Sequence, residues 1–423
     1  VQQNVKSRPS WYRFLIPYYA TQEVIVNIVP LYILFLHGNV LDVGYATALY
    51  SIVPIVSSIT AGRLADIYGK RKVIILMSVL LQFTGYIIMV LYKNILAIML
   101  SYTVFSLGFS FAIPVIGLLL TETLPKNQWG NGNSLSFIYM VVGYISGMVP
   151  TILVLLLVPF IYALYIPILF LAISALFAFK FIKDPEITFE RRSEVKNINS
   201  FLHRILKLPI ITLRAPTLGD FKLIRRSFNS TFSRDLPVIM ISATIFFFAT
   251  NLFFTSYTPY LASNQIPYWM ILVVNTYILV INSVGMMPQI RKRSEGADVR
   301  YVVDMLFVRT IGALGASIAA TYLFGISAFF STFIIFTILG MAYTPIYIGI
   351  SSLLYYNLPS TNQGATLGVY SSLTNLALFA GSILSGIISY YLGYSLTYFV
   401  AAIFFLIASI ALEWHFKVLE REF

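Results

Sequence analysis

Apolar residues fall in long, unbroken stretches along this chain, separated by short polar breaks. The stretches lie at about 12–36, 42–62, 72–92, 95–121, 132–157, 159–182, 236–262, 266–290, 300–323, 327–356, 363–390 and 394–416. Each is close to the ~20 residues that an α-helix needs to cross a bilayer. Backbone groups in lipid must all be paired internally, which leaves helices or a closed barrel. Barrel strands alternate apolar and polar residues, and these runs do not. The pattern therefore predicts an all-α membrane protein with twelve transmembrane helices. One long polar insertion, 183–235, follows the sixth span. It divides the chain into a six-helix bundle over 1–182, a linker, and a second six-helix bundle over 236–423.

Basic residues collect at alternate breaks. Lys6, Arg8 and Arg13 precede the first span, and Arg63, Lys70, Arg71 and Lys72 follow the second. Lys126 lies between the fourth and fifth, Arg291, Lys292, Arg293 and Arg300 between the eighth and ninth, and Lys417 and Arg421 after the last. The intervening connections carry only Lys93. Lys and Arg mark the cytoplasmic side, so both termini are expected in the cytoplasm of a multi-pass protein of the plasma membrane. Residues 1–10 lack an apolar core before a cleavage site, and the first span is expected to serve as the insertion signal. Within the basic insertion, Phe201, Leu202, Ile205, Leu206 and Leu208 keep helical spacing, with Arg204 and Lys207 off that stripe. This predicts an amphipathic helix on anionic lipid headgroups.

Composition narrows the function. Of 423 residues, 58% are hydrophobic and 10% charged, with a mean hydropathy of +0.83. So few charges cannot cover a soluble domain. The net charge of +12 sits at membrane edges, where it suits lipid headgroups rather than nucleic acid. Cysteine is absent, which excludes disulfides and thiolate metal sites. No phosphate-binding Gly-x-x-x-x-Gly-Lys-Ser/Thr sequence occurs, nor His-Glu-x-x-His, and His37, His203 and His415 lie at or beyond membrane edges. A non-enzyme without cofactor or metal is expected.

The break after the second span reads Gly62-Arg63-Leu64-Ala65-Asp66-Ile67-Tyr68-Gly69-Lys70-Arg71-Lys72. A short loop is expected there, with Gly62 and Gly69 permitting a tight turn. The string resembles the signature between the second and third helices of the major facilitator superfamily. Leu124-Pro125 with Gly130 recurs as Leu358-Pro359 with Gly364 at the same spacing, which fits the parallel six-span repeats of that superfamily. The resemblance implies two pseudo-symmetric six-helix bundles and a cavity lined by helices 1, 4, 7 and 10. It also implies a conformational latch in which Asp66 and Lys70 meet Glu122, with Gly62, Gly69 and Arg71 part of the signature and the start of helix 11 at Gln363 and Gly364 nearby. The counterpart near Gly285 and Arg291-Lys292-Arg293 lacks the aspartate.

Within the superfamily the chain resembles the twelve-helix drug/proton antiporter-like branch, with two departures. Helix 4 lacks the branch's arginine, and helix 5 has Gly143, Gly147 and Pro150 followed by Thr151 and Ile152 instead of a glycine pair.

Ionisable residues at membrane depth are the first functional candidates. Glu23 lies about ten residues into the first span, which at ~1.5 Å per residue reaches the midplane. Tyr19, Glu23 and Asn27 share one face. A carboxyl there can exchange a proton for a substrate; a protonated structural glutamate bonded to a neighbouring helix is the alternative. Asn251 lies midway along helix 7. Tyr343, Tyr347 and Ser351 share a face of helix 10, and Tyr102, Ser106 and Ser110 a face of helix 4. All suit a polar, aromatic binding site, and the serines and asparagine equally suit helix–helix hydrogen bonds. Arg309, in peripheral helix 9 by the resemblance, is expected to snorkel or pair.

The leading expectation is a monomeric secondary transporter using rocker-switch alternating access, with protons as coupling ion and export of small amphipathic or cationic compounds as its task. Uptake of a sugar or other organic solute is the runner-up. An organic anion is disfavoured because no cavity cation is evident. A non-transporting receptor or intramembrane enzyme is the rival of another class.

Overall fold

The computed structural model describes residues 9–124, 128–184, 235–285, 299–357 and 363–422, with side chains left aside at 58–59, 62–63, 66–68, 129–131, 134, 363–365 and 417–422. Twelve α-helices and no strand occur among the described residues. They are α1 Tyr12–Phe35, α2 Val40–Tyr68, α3 Arg71–Leu91, α4 Ile95–Thr123, α5 Trp129–Leu157, α6 Ile166–Phe181, α7 Leu236–Ser263, α8 Tyr268–Val284, α9 Val299–Tyr322, α10 Ile326–Tyr356, α11 Gln363–Leu392 and α12 Tyr394–Glu422. Eleven helices are long and apolar enough to cross a membrane, and α8 is a shorter apolar helix. The expected extension of α8 to 290 falls outside the described residues. So do Lys6, Lys126, the 185–234 part of the insertion with its amphipathic stripe, the basic cluster at 291–293, and Pro125, Leu358 and Pro359 of the repeat.

The helices end where local chemistry stops them. Asn39 caps α2 by accepting from the backbone N–H groups of Leu41 and Asp42, while the Asp42 carboxylate accepts from Asn39 N–H at 2.9 Å. This reciprocal pair satisfies N–H groups that a helix start leaves free. Asn94 caps α4 more simply, its Oδ1 accepting from Ala97 N–H at 2.7 Å. The ends of α1 and α7 share one motif: His37 and Gln265 adopt φ of 63° and 60°. The next N–H in each case, from Gly38 or Ile266, reaches back to the carbonyl of Ile33 or Leu261. That is the Schellman arrangement, and its recurrence is a structural echo of the repeat between the two series of helices.

The signature string departs from the expected loop. α2 continues through Gly62 to Tyr68, and only Gly69, at φ 63°, and Lys70 form the turn before α3. The residues between the glycines are compatible with helix, so the chain needs a left-handed conformation only at Gly69.

Helices 1–6 and 7–12 each pack into a group. α1 lies on α5 and α6, and α3 on α4; α7 lies on α11 and α12, and α9 on α10 and α12. Between the groups α2 runs along α11, and α5 meets α8. The start of α1 and the end of α12 lie on one face, the terminal face. There Trp11 Nε1 donates to Thr123 Oγ1 at 3.1 Å, Lys72 N–H to Asp184 at 2.8 Å, and His415 meets Asp235 at 2.9 Å. At the opposite face the groups close on each other. A Cβ at Gly44 of α2 would lie 2.9 Å from the Cα of Gly386 and 2.9 Å from the Ser382 carbonyl, both on α11. Phe160 and Tyr268 also meet edge to face across the groups, at 5.3 Å between ring centres.

Because only glycine lets α2 and α11 approach this closely, Gly44→Val should oppose closure by about 1–3 kcal/mol. A cysteine replacing buried Val40 beside this crossing should then react faster with a membrane-impermeant maleimide than in the Gly44 parent; an unchanged rate contradicts the assignment.

Candidate binding site

Glu23 sits between the two helical groups, and α5 brings a wall up against it. A Cβ at Gly143 would lie 2.6 Å from the Ile16 carbonyl, and one at Gly147 would lie 2.5 Å from that of Ala20. These glycines let α5 press on the α1 backbone next to the Tyr19–Glu23 face, and so carry Tyr144 to the site. Tyr19 and Tyr144 meet edge to face at 5.7 Å, and Tyr50 stacks on Tyr102 at 4.4 Å. Tyr50, Tyr102 and Tyr144 all lie within electrostatic reach of Glu23. Gln22 donates to the Tyr50 hydroxyl at 2.5 Å. Glu23 itself is only partly buried. Asn27 Nδ2 donates to its Oε1 at 2.8 Å, and Asn27 Oδ1 accepts from Asn275 Nδ2 of α8 at 2.7 Å.

The structure thus brings Tyr19, Glu23 and Asn27 together with Tyr102. Tyr50, Tyr144 and Asn275 join them, and the sequence reading missed all three. Tyr50 lies on α2 and Tyr144 on α5, helices outside the expected cavity lining. Asn275 touches Asn27 across 248 residues, which no local pattern reveals.

Other candidates are occupied in holding helices together. Ser106 donates to the Tyr50 carbonyl at 2.6 Å, and Ser110 bonds Ser57 of α2. Asn251 donates to the Leu378 carbonyl at 2.8 Å and to Ser382 Oγ at 2.6 Å, tying α7 to α11. Tyr343 and Tyr347 stack with ring centres 6.2 Å apart, and Tyr347 is 47% exposed. Tyr343 and Tyr144, on opposite helical groups, are within electrostatic reach of each other.

Arg309 departs from expectation. It neither reaches a membrane edge nor meets a carboxylate among the described residues. At 1% exposure, its guanidinium lies 4.9–5.6 Å from the ring centres of Phe405, Tyr343, Phe246 and Phe254. Nη1 donates to the Leu339 carbonyl at 3.1 Å and Nη2 to Thr250 Oγ1 at 3.3 Å, while Nε has no partner. The aromatic faces offset part of the cost of burying the charge. Sequence depth alone located Arg309 within its helix, but the peripheral assignment of that helix obscured its inward direction.

At the terminal face Arg71, and not the neighbouring Lys70, takes Glu122. Its Nη2 lies 2.6 Å from Glu122 Oε1, its Nε donates to Oε2 at 3.3 Å, and its Nη1 bonds the Ala65 carbonyl. Lys70 is exposed. α3 begins at Arg71, which points that side chain back between α2 and α4, while Lys70 stays in the turn. The side chains of Gly62 and Asp66, and those around Gln363 and Gly364, lie outside the described set.

The sequence profile of the Major Facilitator Superfamily matches residues 15–294. With a twelve-helix fold and a polar site between two helical groups, the chain belongs to this superfamily and is a multi-pass membrane transporter. It is 22% identical over 395 residues to an uncharacterised MFS-type transporter of Methanocaldococcus jannaschii, covering 91% of this chain and 92% of that one. The fold is similar to the nucleoside transporter NupG (TM-score 0.68, 13% identity, 96% of this chain and 98% of the other). It is also similar to a POT family transporter solved with 5-aminolevulinic acid (0.71, 12%, 97% and 96%). A bacterial homolog of the human lysosomal transporter Spinster, inward-facing and unoccupied, is a third similar structure (0.69, 12%, 95% and 95%).

Arg309→Lys keeps the charge but loses the planar fork that spans Leu339 and Thr250. It should destabilise the protein by about 1–3 kcal/mol, read as a lower midpoint of thermal unfolding in detergent. A wild-type midpoint contradicts the role of Arg309 in joining α7, α9 and α10.

Proposed function

We propose that this chain is a secondary active transporter that exchanges protons for small amphipathic or cationic solutes and exports them by rocker-switch alternating access. Glu23 carries the reading: a carboxyl between the two helical groups, in reach of three tyrosines, can hold a proton or a cation in turn. The ring faces add attraction for a cationic solute. The groups at 1–182 and 236–423 act as the two rocking units, with the 183–235 linker resting on anionic headgroups and the monomer as the working form. The basic residues make the terminal face cytoplasmic. On that assignment, the packed opposite face corresponds to an inward-facing state, with the termini inside the plasma membrane.

The latch belongs to the opposite, outward-facing state. Gly62, Asp66, Gly69, Lys70 and Arg71 would engage Glu122 and the start of α11 as the terminal face closes, and Arg71 already holds Glu122 in place.

Arg309 favours a second reading, uptake of a sugar or other organic solute. It sets a positive charge behind the Tyr343 ring, 5.1 Å away, and such a wall suits a solute rich in hydrogen-bond acceptors.

Glu23→Gln should abolish solute flux driven by a pH gradient in proteoliposomes, while the purified variant remains folded and still shows solute-dependent thermal stabilisation. Solutes from both classes are screened by the same stabilisation. PH-driven flux at the wild-type rate in the variant rules out Glu23 as the coupling group.

A further inference from the structure

Among the described residues, one line of hydrogen bonds crosses between the helical groups at the level of Glu23. Asn27 Nδ2 donates to Glu23 Oε1 at 2.8 Å and to the Glu23 carbonyl at 2.9 Å. Both partners are acceptors, so the Asn27 amide has one orientation, with Oδ1 left for α8. That oxygen accepts from Asn275 Nδ2 at 2.7 Å, and Asn275 Nδ2 also approaches Thr258 Oγ1 of α7 at 3.4 Å. Asn27 is 8% exposed. The Asn27–Asn275 bond joins α1 to α8, so it holds only while these two helices stay together.

We propose that Asn27 and Asn275 are positioning residues that make closure of the opposite face depend on the charge of Glu23. This rests on the reading of Glu23 as the proton-exchanging group. An ionised carboxylate accepts about twice as strongly as a neutral acid. It holds the Asn27 amide with Oδ1 toward α8 and polarises it, which strengthens the next bond in the line. A protonated carboxyl accepts more weakly, and its O–H competes for Asn27 Oδ1, the atom Asn275 uses. Loss of the proton therefore favours a closed opposite face, and uptake of the proton releases it. By linkage, closing that face also favours proton release from Glu23.

The groups around Glu23 leave it as the titrating member. Tyr19 lies on its own helix, and Tyr50, Tyr102 and Tyr144 face it from α2, α4 and α5. Phenols ordinarily ionise only near pH ~10. α7 and α8 present the neutral Thr258 and Asn275. No second carboxylate or cation acts on Glu23 among the described residues.

The natural absence of cysteine allows a direct test. Spin labels at Lys93→Cys and Leu392→Cys, both exposed at the opposite face in different helical groups, report its closure in nanodiscs at about pH 5 and about pH 9. In the otherwise wild-type chain the ratio of short-distance to long-distance populations should rise about fivefold from acid to alkaline, the net worth of the Asn27–Asn275 hydrogen bond for which the protonated carboxyl competes. Asn275→Ala should flatten that response. Asn275→Leu, of nearly the same shape, should do likewise and serves if the alanine variant does not fold. A wild-type pH response in a folded Asn275 variant overturns the proposal. Glu23→Gln separates the two layers. A pH response surviving in Glu23→Gln removes Glu23 as the proton-exchanging group. A response lost in Glu23→Gln but kept without Asn275 removes only the coupling proposed here.

Discussion

A carboxyl group in the middle of an apolar bundle is costly to keep charged, because few dipoles replace its water. Much of the site can be understood as an answer to that constraint at Glu23. The glycines of α5 allow one wall to press on α1, so Tyr144 arrives beside Tyr19. α2 and α4 supply the stacked Tyr50 and Tyr102. Asn27 supplies a hydrogen bond from the next turn of the same helix, and its far side is held from α8. The carboxyl remains only partly buried, between the two helical groups.

Arg309 shows the other way to accommodate a buried charge. A guanidinium stays protonated in proteins, so it needs permanent compensation. Here that consists of four aromatic faces, a helix carbonyl and a threonine hydroxyl. The side chain is sealed and joins helices. Glu23 can shed its charge by taking a proton, and it is only partly buried between the helical groups. Different ionisation chemistry thus separates a sealed charge that joins helices from the carboxyl proposed to exchange its proton.

The helices were legible because the length and continuity of apolar runs are set by the bilayer. The shared face of Glu23 and Asn27 was legible too, since residues four apart on a helix are neighbours. Direction across the bundle was not. The period that put Tyr102, Ser106 and Ser110 on one stripe is the same whether that stripe faces a cavity or a neighbouring helix, and the serines turn out to bond α2. Lys70 and Arg71 are adjacent and equally basic, and only the start of α3 decides which one reaches Glu122. Asn275 and Arg309 act through contacts between distant parts of the chain. The continuation of α2 past Gly62 went unseen because a glycine permits a turn without requiring one.

The central claim is that one carboxyl exchanges its proton for solute. Calorimetric titration of the purified protein with a stabilising solute, repeated in buffers of different ionisation enthalpy near neutral pH, counts the protons exchanged on binding. The account predicts release of up to about one proton from the wild-type chain and none from Glu23→Gln. Binding by the wild-type chain with no proton exchange across the pH range, or undiminished release from Glu23→Gln, would contradict it.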